Sequence, residues 1–176
     1  MTIISIILIA VLIAVDQITK LLVINKIEIG KIISVVKFGD KEIFSFTHVR
    51  NSGAAWSSFS DKTTIVTIVT VIIIILFLAL MFVKPVQKKM LGRSINLFET
   101  ICFSLIISGG FGNIIDRVRL KEVVDFIKID LFKFPIFNFA DICVVIGCIM
   151  FFVDVCIMDV IDAKKKKLKA AENTDE

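Results

Sequence analysis

Four long apolar runs, separated by charged connections, set the layout of the chain. They cover about residues 2–24, 63–83, 97–115 and 136–158, each near the ~20 residues a helix needs to cross a hydrocarbon core about 30 Å thick. The pattern predicts four membrane-spanning helices. The connections at 25–62 and 116–135 fall on one side of the membrane, and the short one around residues 84–96 falls on the other. The first connection holds "KIISVVKFG" and "KEIFSFTHV" around Gly39-Asp40. These are β-branched and aromatic runs about a turn signal, so a small β-element is expected there. In the third connection, "EVVDFIKIDLFKF" mixes apolar and charged positions and fits either a short strand or an amphipathic stretch lying in the interface.

Composition agrees with this layout. Of 176 residues 57% are hydrophobic, above the roughly 45–50% of soluble domains, and the mean hydropathy is +0.92. The net charge is +4, but the basic residues flank the apolar runs and form no single soluble face, so a nucleic-acid partner is not expected. Lys84, Lys88, Lys89 and Arg93 crowd the short connection, and Lys164–Lys167 with Lys169 follow the last run. The tendency of positive charge to stay inside then puts both termini in the cytoplasm and the two longer connections outside. The first run has no preceding Lys or Arg and no small-x-small site after it, so it reads as a retained helix rather than a cleaved leader. No repeat or linker divides the chain. The expectation is one domain over 1–162 and a basic, unordered cytoplasmic tail over 163–176. Cys102, Cys143, Cys148 and Cys156 lie in predicted helices without a C-x-x-C and read as small packing residues.

Against this background, carboxylates within or beside apolar runs stand out. An ionised side chain at mid-bilayer costs about 2.5–3.5 kcal/mol even on the most lenient insertion scale, so each one needs a partner. Asp16 and Lys20 in "VDQITKLLV" are four apart and share a helix face; they form either a structural clasp or part of a binding site. "SGGFGNIIDRVR" brings Asn113, Asp116 and Arg117 to the end of the third helix, with an amide and a guanidinium able to donate hydrogen bonds. Its glycines permit close helix contact. "RNSGAAW" in the first outer connection contains the turn Asn51-Ser52-Gly53, and His48 nearby has no second histidine to act with.

Asp125 in "VVDF" and Asp141 in "FPIFNFADI" differ from the rest in having no cation among their immediate neighbours. Buried carboxyls of this kind resist ionisation, and two held together share one proton. In that state the ionised member can take a proton from water while the protonated one polarises a carbonyl. The proposed partner of Asp141 is therefore Asp125. A rival reading makes Asp16, Asp125 and Asp141 the relay of a small proton-coupled transporter, although inverted repeats and matched broken helices are missing. A third makes the polar residues interhelical glue in a non-catalytic assembly factor.

Together "DQITK", "RNSGAAW", "GGFGNIIDR", "VVDF" and "FPIFNFADI", in this order, resemble the lipoprotein signal peptidase (type II signal peptidase) family from Val15 to about Gly147. The resemblance implies an all-α integral membrane protein of four transmembrane helices with a small extracytoplasmic β-element. It also implies an intramembrane aspartic endopeptidase that cuts before a diacylglyceryl-modified cysteine of a prolipoprotein. The catalytic pair then maps onto Asp125 and Asp141. Substrate-binding or supporting roles map onto Asp16, Lys20, Asn51, Gly53, Ala54, Asn113, Arg117 and Asn138, and a structural role in support of Arg117 onto Asp116. No metal or cofactor is implied. The expected setting is the bacterial cytoplasmic membrane, as a monomer among lipids, with the site near the outer face and the substrate's acyl chains left in the lipid.

Overall fold

The computed structural model describes residues 2–39, 41–52 and 62–172. In chain order the elements are α1 (Thr2–Lys26), β1 (Ile32–Phe38), β2 (Lys41–Asn51), α2 (Lys62–Phe82), α3 (Lys84–Leu91), α4 (Leu97–Leu120), β3 (Val123–Ile129) and α5 (Phe139–Glu172). Four of the helices, α1, α2, α4 and α5, are long and apolar enough to cross a membrane.

The centre of the bundle is α4, against which the other three pack, and its small residues explain why. Gly109 lies where a Cβ would strike the Ala140 carbonyl oxygen and sit 2.7 Å from Val144 Cγ2, both on α5. At Gly110 a Cβ would come within 2.8 Å of Ile74 Cδ1 on α2, and at Gly112 it would strike the Asp16 carboxylate on α1. Three nearby glycines thus admit three different helices, as small residues do in bilayers, where close packing replaces a hydrophobic drive. Below them Phe77, Phe103 and Phe151 from α2, α4 and α5 stack with ring centres 5.0–6.1 Å apart, in a core with Ile74, Cys102 and Ile107. Outward faces such as Ile3, Ile7, Ile68, Ile72, Ile149 and Phe152 are exposed, as expected of surfaces that meet lipid.

Asn96 opens α4 through a reciprocal cap with Glu99: the Glu99 amide donates to Asn96 Oδ1 at 2.8 Å and the Asn96 amide to Glu99 Oε2 at 2.9 Å. Glu99 is fully buried and paired with Arg93 at 2.7 Å, whose guanidinium also lies 3.5 Å from Asp154 of α5. At the other end α4 runs past the expected limit at 115 to Leu120. There Lys121, in the left-handed region at φ 62°, donates its amide to the Arg117 carbonyl. Asp116 and Arg117 lie in the last two turns of the helix, the helix end that "SGGFGNIIDRVR" predicted. The polar residues that suggested an earlier end are satisfied by neighbouring elements and do not stop the helix.

The β-element is a three-stranded antiparallel sheet ordered β1-β2-β3. β1 and β2 form the expected hairpin with Gly39 at φ 59°. The third connection supplies β3, which settles the open choice in favour of a strand: its first four residues are buried against α1 and the sheet, whereas an interfacial stretch needs one face free. Two further differences concern the other end. The short connection contains α3, a short helix with Pro85 in its first turn, where fixed φ favours helix initiation. α5 begins at Phe139, not 136, and continues to Glu172 where an unordered tail was expected; Lys, Ala, Leu and Glu are all strong helix formers.

Candidate active site

Two elements of different kinds carry the acidic pair. Asp125 is the third residue of β3, opposite Val49 of β2, and is 3% exposed. Asp141 lies in the first turn of α5 and is half-buried. The chain between them is held by backbone bonds: the amides of Phe126 and Ile127 both donate to the Phe137 carbonyl, at 3.0 and 2.8 Å, and the Phe137 amide donates to Ile127 at 3.1 Å. That return places Asn138 beside Asp125 and starts α5 one residue later.

Asn138 joins the pair. Its Nδ2 donates to Asp125 Oδ1 at 2.7 Å, its backbone amide to Asp141 Oδ2 at 3.1 Å, and its Oδ1 accepts the Asp141 amide at 3.0 Å. The last two bonds form a reciprocal cap on α5. Asn51 Nδ2 donates to Asp125 Oδ2 at 2.8 Å and Asn113 Nδ2 to Asp141 Oδ1 at 2.8 Å. Each of the four carboxylate oxygens therefore accepts one neutral amide N–H. Burial, the largest effect, raises the pKa of Asp125 to about 6; the Asn51 bond opposes it, the charge of Asp141 adds to it, and Asn138 and Lys20 oppose it. Both carboxylates border one largely apolar cleft of about 540 Å³, walled by Phe134–Phe137 and by Ile142, Val145 and Ile146 of α5.

Behind Asn113 lies a sealed ionic cluster. Lys20 Nζ is 2.9 Å from Asp16 Oδ2, 2.9 Å from Asp116 Oδ2 and 2.9 Å from Asn113 Oδ1, and the three charged residues are 1%, 1% and 2% exposed. An ammonium can only donate, so its bond to Oδ1 fixes which end of the Asn113 amide faces Asp141. Asp16 Oδ1 in turn accepts the Ala140 amide at 3.0 Å, tying α1 to the start of α5. Asp16 and Lys20 are enclosed, and their partners among the described residues are all internal, the geometry a clasp would have. Asp116 makes no hydrogen bond to Arg117; it is paired with Lys20 and accepts the Val124 amide at 3.2 Å, next to Asp125. Adjacent helix residues do not face each other, so Asp116 turns inward while Arg117 turns to the outer groove. That groove lies between α2, α4 and α5, has a volume of about 290 Å³, and includes Thr70, Gly110, Asn113 and Asp141. Arg117 has no ion pair within 4 Å among the described residues.

Asn51, Asn113 and Arg117 thus lie at or beside the acidic pair, whereas Asn138 is fully enclosed and orients the carboxylates from behind. Gly53 and Ala54 lie outside the described residues. Sequence reasoning did not nominate Gln17, whose Nε2 lies 3.1–3.2 Å from Asp16 Oδ2, the Gly112 carbonyl and Asp116 Oδ1; an amide one residue from a buried carboxylate was the available signal. His48 is buried in β2, bonded to the Ile27 carbonyl and to Arg50. Among the described residues, no three His, Cys, Asp or Glu side chains converge as a metal ligand set.

The family described as signal peptidase (SPase) II matches residues 8–157. A lipoprotein signal peptidase of Clostridium acetobutylicum is 37% identical over 158 residues, covering 88% of this chain and 95% of that protein. One from Staphylococcus aureus strain MRSA252 is 39% identical over 166 residues, covering 93% and 94%. A bacterial membrane enzyme structure obtained by the in meso method at 1.9 Å resolution superposes with a TM-score of 0.72 at 35% identity, covering 86% of this chain and 91% of that one.

Proposed function

From the premise that this chain belongs to the signal peptidase II family, and is a bacterial membrane protease that removes signal peptides from prolipoproteins, we propose that Asp125 and Asp141 are its catalytic dyad. The observation that carries this is the enclosed Asn138, which hydrogen-bonds both carboxylates on the wall of one cleft. These findings give no support to the transporter alternative.

In the proposed mechanism a water lies between the carboxylates, which together hold one proton. The ionised member takes a proton from the water as its oxygen attacks the scissile carbonyl carbon, and the protonated member donates to the carbonyl oxygen. Asp125, at about 6, is suited to hold the shared proton. Collapse of the tetrahedral intermediate breaks the C–N bond, and the proton taken from water passes to the departing amine. The products are the signal peptide's new carboxylate and a free amino-terminal cysteine. Arg117 and Asn51 are placed to hold the substrate backbone, contributing through orientation.

The preferred substrate in this reading is a precursor whose cysteine already carries diacylglycerol. The chain acts as a monomer in the cytoplasmic membrane, with both termini inside and the dyad near the outer face. Support comes from the basic clusters at the end remote from the dyad, and from Asp125 lying on a strand beyond the helix ends, where polar groups facing a cavity are tolerated. The test is incubation of the purified protein, and of Asp125→Asn and Asp141→Asn, with a diacylglyceryl-modified precursor and its unlipidated twin. Only the lipidated form should be cut, and each variant should lose roughly 10²–10⁴-fold in rate while still showing a cooperative thermal transition. Normal cleavage by either variant would falsify the dyad assignment.

A further inference from the structure

At the end of the bundle remote from the dyad lies a separate cavity of about 210 Å³, with room for far more than one water. One wall is Thr100 of α4. Asn113 lies thirteen residues further along the same helix, about 20 Å away at the helical rise. The remaining walls come from the first turn of α1, the end of α2, α3 and the connection that follows it.

The lining is polar in two layers. Gln87, 5% exposed, and Thr100, 3% exposed, form the floor, while Thr2, Lys84 and Ser94 stand on an exposed rim. A buried amide costs stability unless its hydrogen bonds are made, and the protein makes only some of those of Gln87. Its Oε1 accepts the Ile95 amide at 3.4 Å and its Nε2 donates to the Met81 carbonyl at 3.1 Å, which uses one of two Nε2 hydrogens. The other is left for the cavity that Gln87 lines. Lys84 forms no ion pair among the described residues, so its ammonium is also available. With the hydroxyls of Thr2 and Ser94 these groups surround one space with donors and a cation, the chemistry that suits the charged oxygens of a phosphate.

The position selects the source of that phosphate. α2 is apolar to its end at Phe82, which is 40% exposed and lines the cavity, so the cavity lies where the hydrocarbon-spanning surface gives way to polar chain. Lys88 and Lys89, both exposed on α3, add positive charge at the same level, where basic residues attract anionic lipid. A headgroup seated here leaves its acyl chains beside Phe82 and the outward face of α2, still in the bilayer. We propose that this cavity binds the phosphate headgroup of an anionic phospholipid through Lys84, Ser94, Thr2 and Gln87, and so links the start of α1 to α3. The inference does not depend on the assignment of the dyad.

The experiment measures the melting temperature of the purified protein in detergent at about 0.15 M salt, where diffuse attraction is largely screened. The additions are phosphatidylglycerol, phosphatidylcholine with the same acyl chains, and glycerol 3-phosphate alone. With phosphatidylglycerol at about 100 times its Kd the transition should rise by roughly 5–10 °C, and with phosphatidylcholine much less. Lys84→Gln should lose most of the rise. Lys89→Gln makes the same change of charge on the same short helix but lies off the cavity wall, and should keep it. Ser94→Ala should weaken the rise and serves as the second variant if the Lys84→Gln protein does not fold. A full rise in both Lys84→Gln and Ser94→Ala, or an equal loss in Lys84→Gln and Lys89→Gln, overturns the proposal, the latter in favour of diffuse attraction. Glycerol 3-phosphate matching phosphatidylglycerol would overturn the lipid as ligand. Cleavage by Lys84→Gln should equal that of the parent, so failure of the dyad is read separately, in Asp125→Asn.

Discussion

Replacing Lys20 by Met tests whether the buried cluster is a clasp or part of the chemistry. The substitution keeps the length of the side chain and removes the one ammonium shared by Asp16, Asp116 and Asn113. Two carboxylates at 1% and 2% exposure then lose their cation. Breaking a buried pair in this way costs about 3–5 kcal/mol. An independent bound agrees: the cluster can escape by protonating one carboxyl, which for an ordinary aspartate at pH 7 costs about 4 kcal/mol. For a chain of this length 1 kcal/mol corresponds to roughly 2–4 °C, so the thermal transition in detergent should fall by on the order of 10 °C at pH 7. Because the escape route is protonation, the loss should shrink to a few degrees near pH 5, where the same proton costs only about 1.5 kcal/mol. Asn113 Oδ1 keeps its second donor, Asn138 Nδ2 at 3.1 Å, so Asp141 stays oriented and turnover of the folded fraction should fall by less than about tenfold, well short of what loss of an acid or base costs. An unchanged transition at pH 7, or a normal transition with turnover lost, would refute the reasoning and move Lys20 into the chemistry.

Asn51→Ala removes a donor that stabilises the ionised form of Asp125; Asp125 should then stay protonated to higher pH, and the descending limb of kcat/KM against pH should move alkaline. The raised pKa also ties stability to pH. Asp125 contributes stability that is present below 3.8 and lost as pH rises through about 6, so the transition of Asp125→Asn measured against the parent should rise across that interval. A methyl at Gly112 would meet the Asp16 carboxylate, itself held by Lys20 and the Ala140 amide; Gly112→Ala should destabilise by about 1–3 kcal/mol or more, read as a lower melting temperature. Chelators should leave cleavage intact, and activity lost to them and restored by zinc would contradict a dyad that works with water alone.

The spans were legible because hydrophobicity over twenty residues is a strong signal, and the i,i+4 pair Asp16–Lys20 because helix geometry alone brings such residues together. Pairing Asp125 with Asp141 was legible for a different reason: both lack a neighbouring cation, and the return through Phe137 is short. What could not be read was the route of each hydrogen bond. Nothing in "FPIFNFADI" says that Asn138 rather than Asp141 caps the helix, or that its side chain reaches back to β3. The support of Arg117 by Asp116 came from the family resemblance; a helix turns such neighbours apart, and the ion-pair partner of Asp116 is 96 positions upstream at Lys20. The seven residues of β3 carry too short a pattern to separate a strand from an amphipathic turn; only the waiting edge of β2 decides it.

If Asp125 and Asp141 are the proposed dyad, the charges around them are arranged as a shared proton would require. A lysine or arginine bonded directly to either carboxylate would hold it ionised and prevent it from acting as an acid. All four oxygens are instead held by neutral amides, from Asn51, Asn113, Asn138 and the Asn138 backbone, which orient without neutralising. The cation that organises the site is one step removed: Lys20 acts on Asp141 through Asn113, and its charge is taken up by Asp16 and Asp116. The same two aspartates fix the elements that carry the dyad, Asp16 through the Ala140 amide of α5 and Asp116 through the Val124 amide beside Asp125. In the proposed reading, the ion-paired charge thus lies in a sealed layer behind the site and the reacting charge in the cleft, with asparagines as the contact between them. This explains why the chain bears the cost of so many buried polar groups within a few turns of one helix bundle.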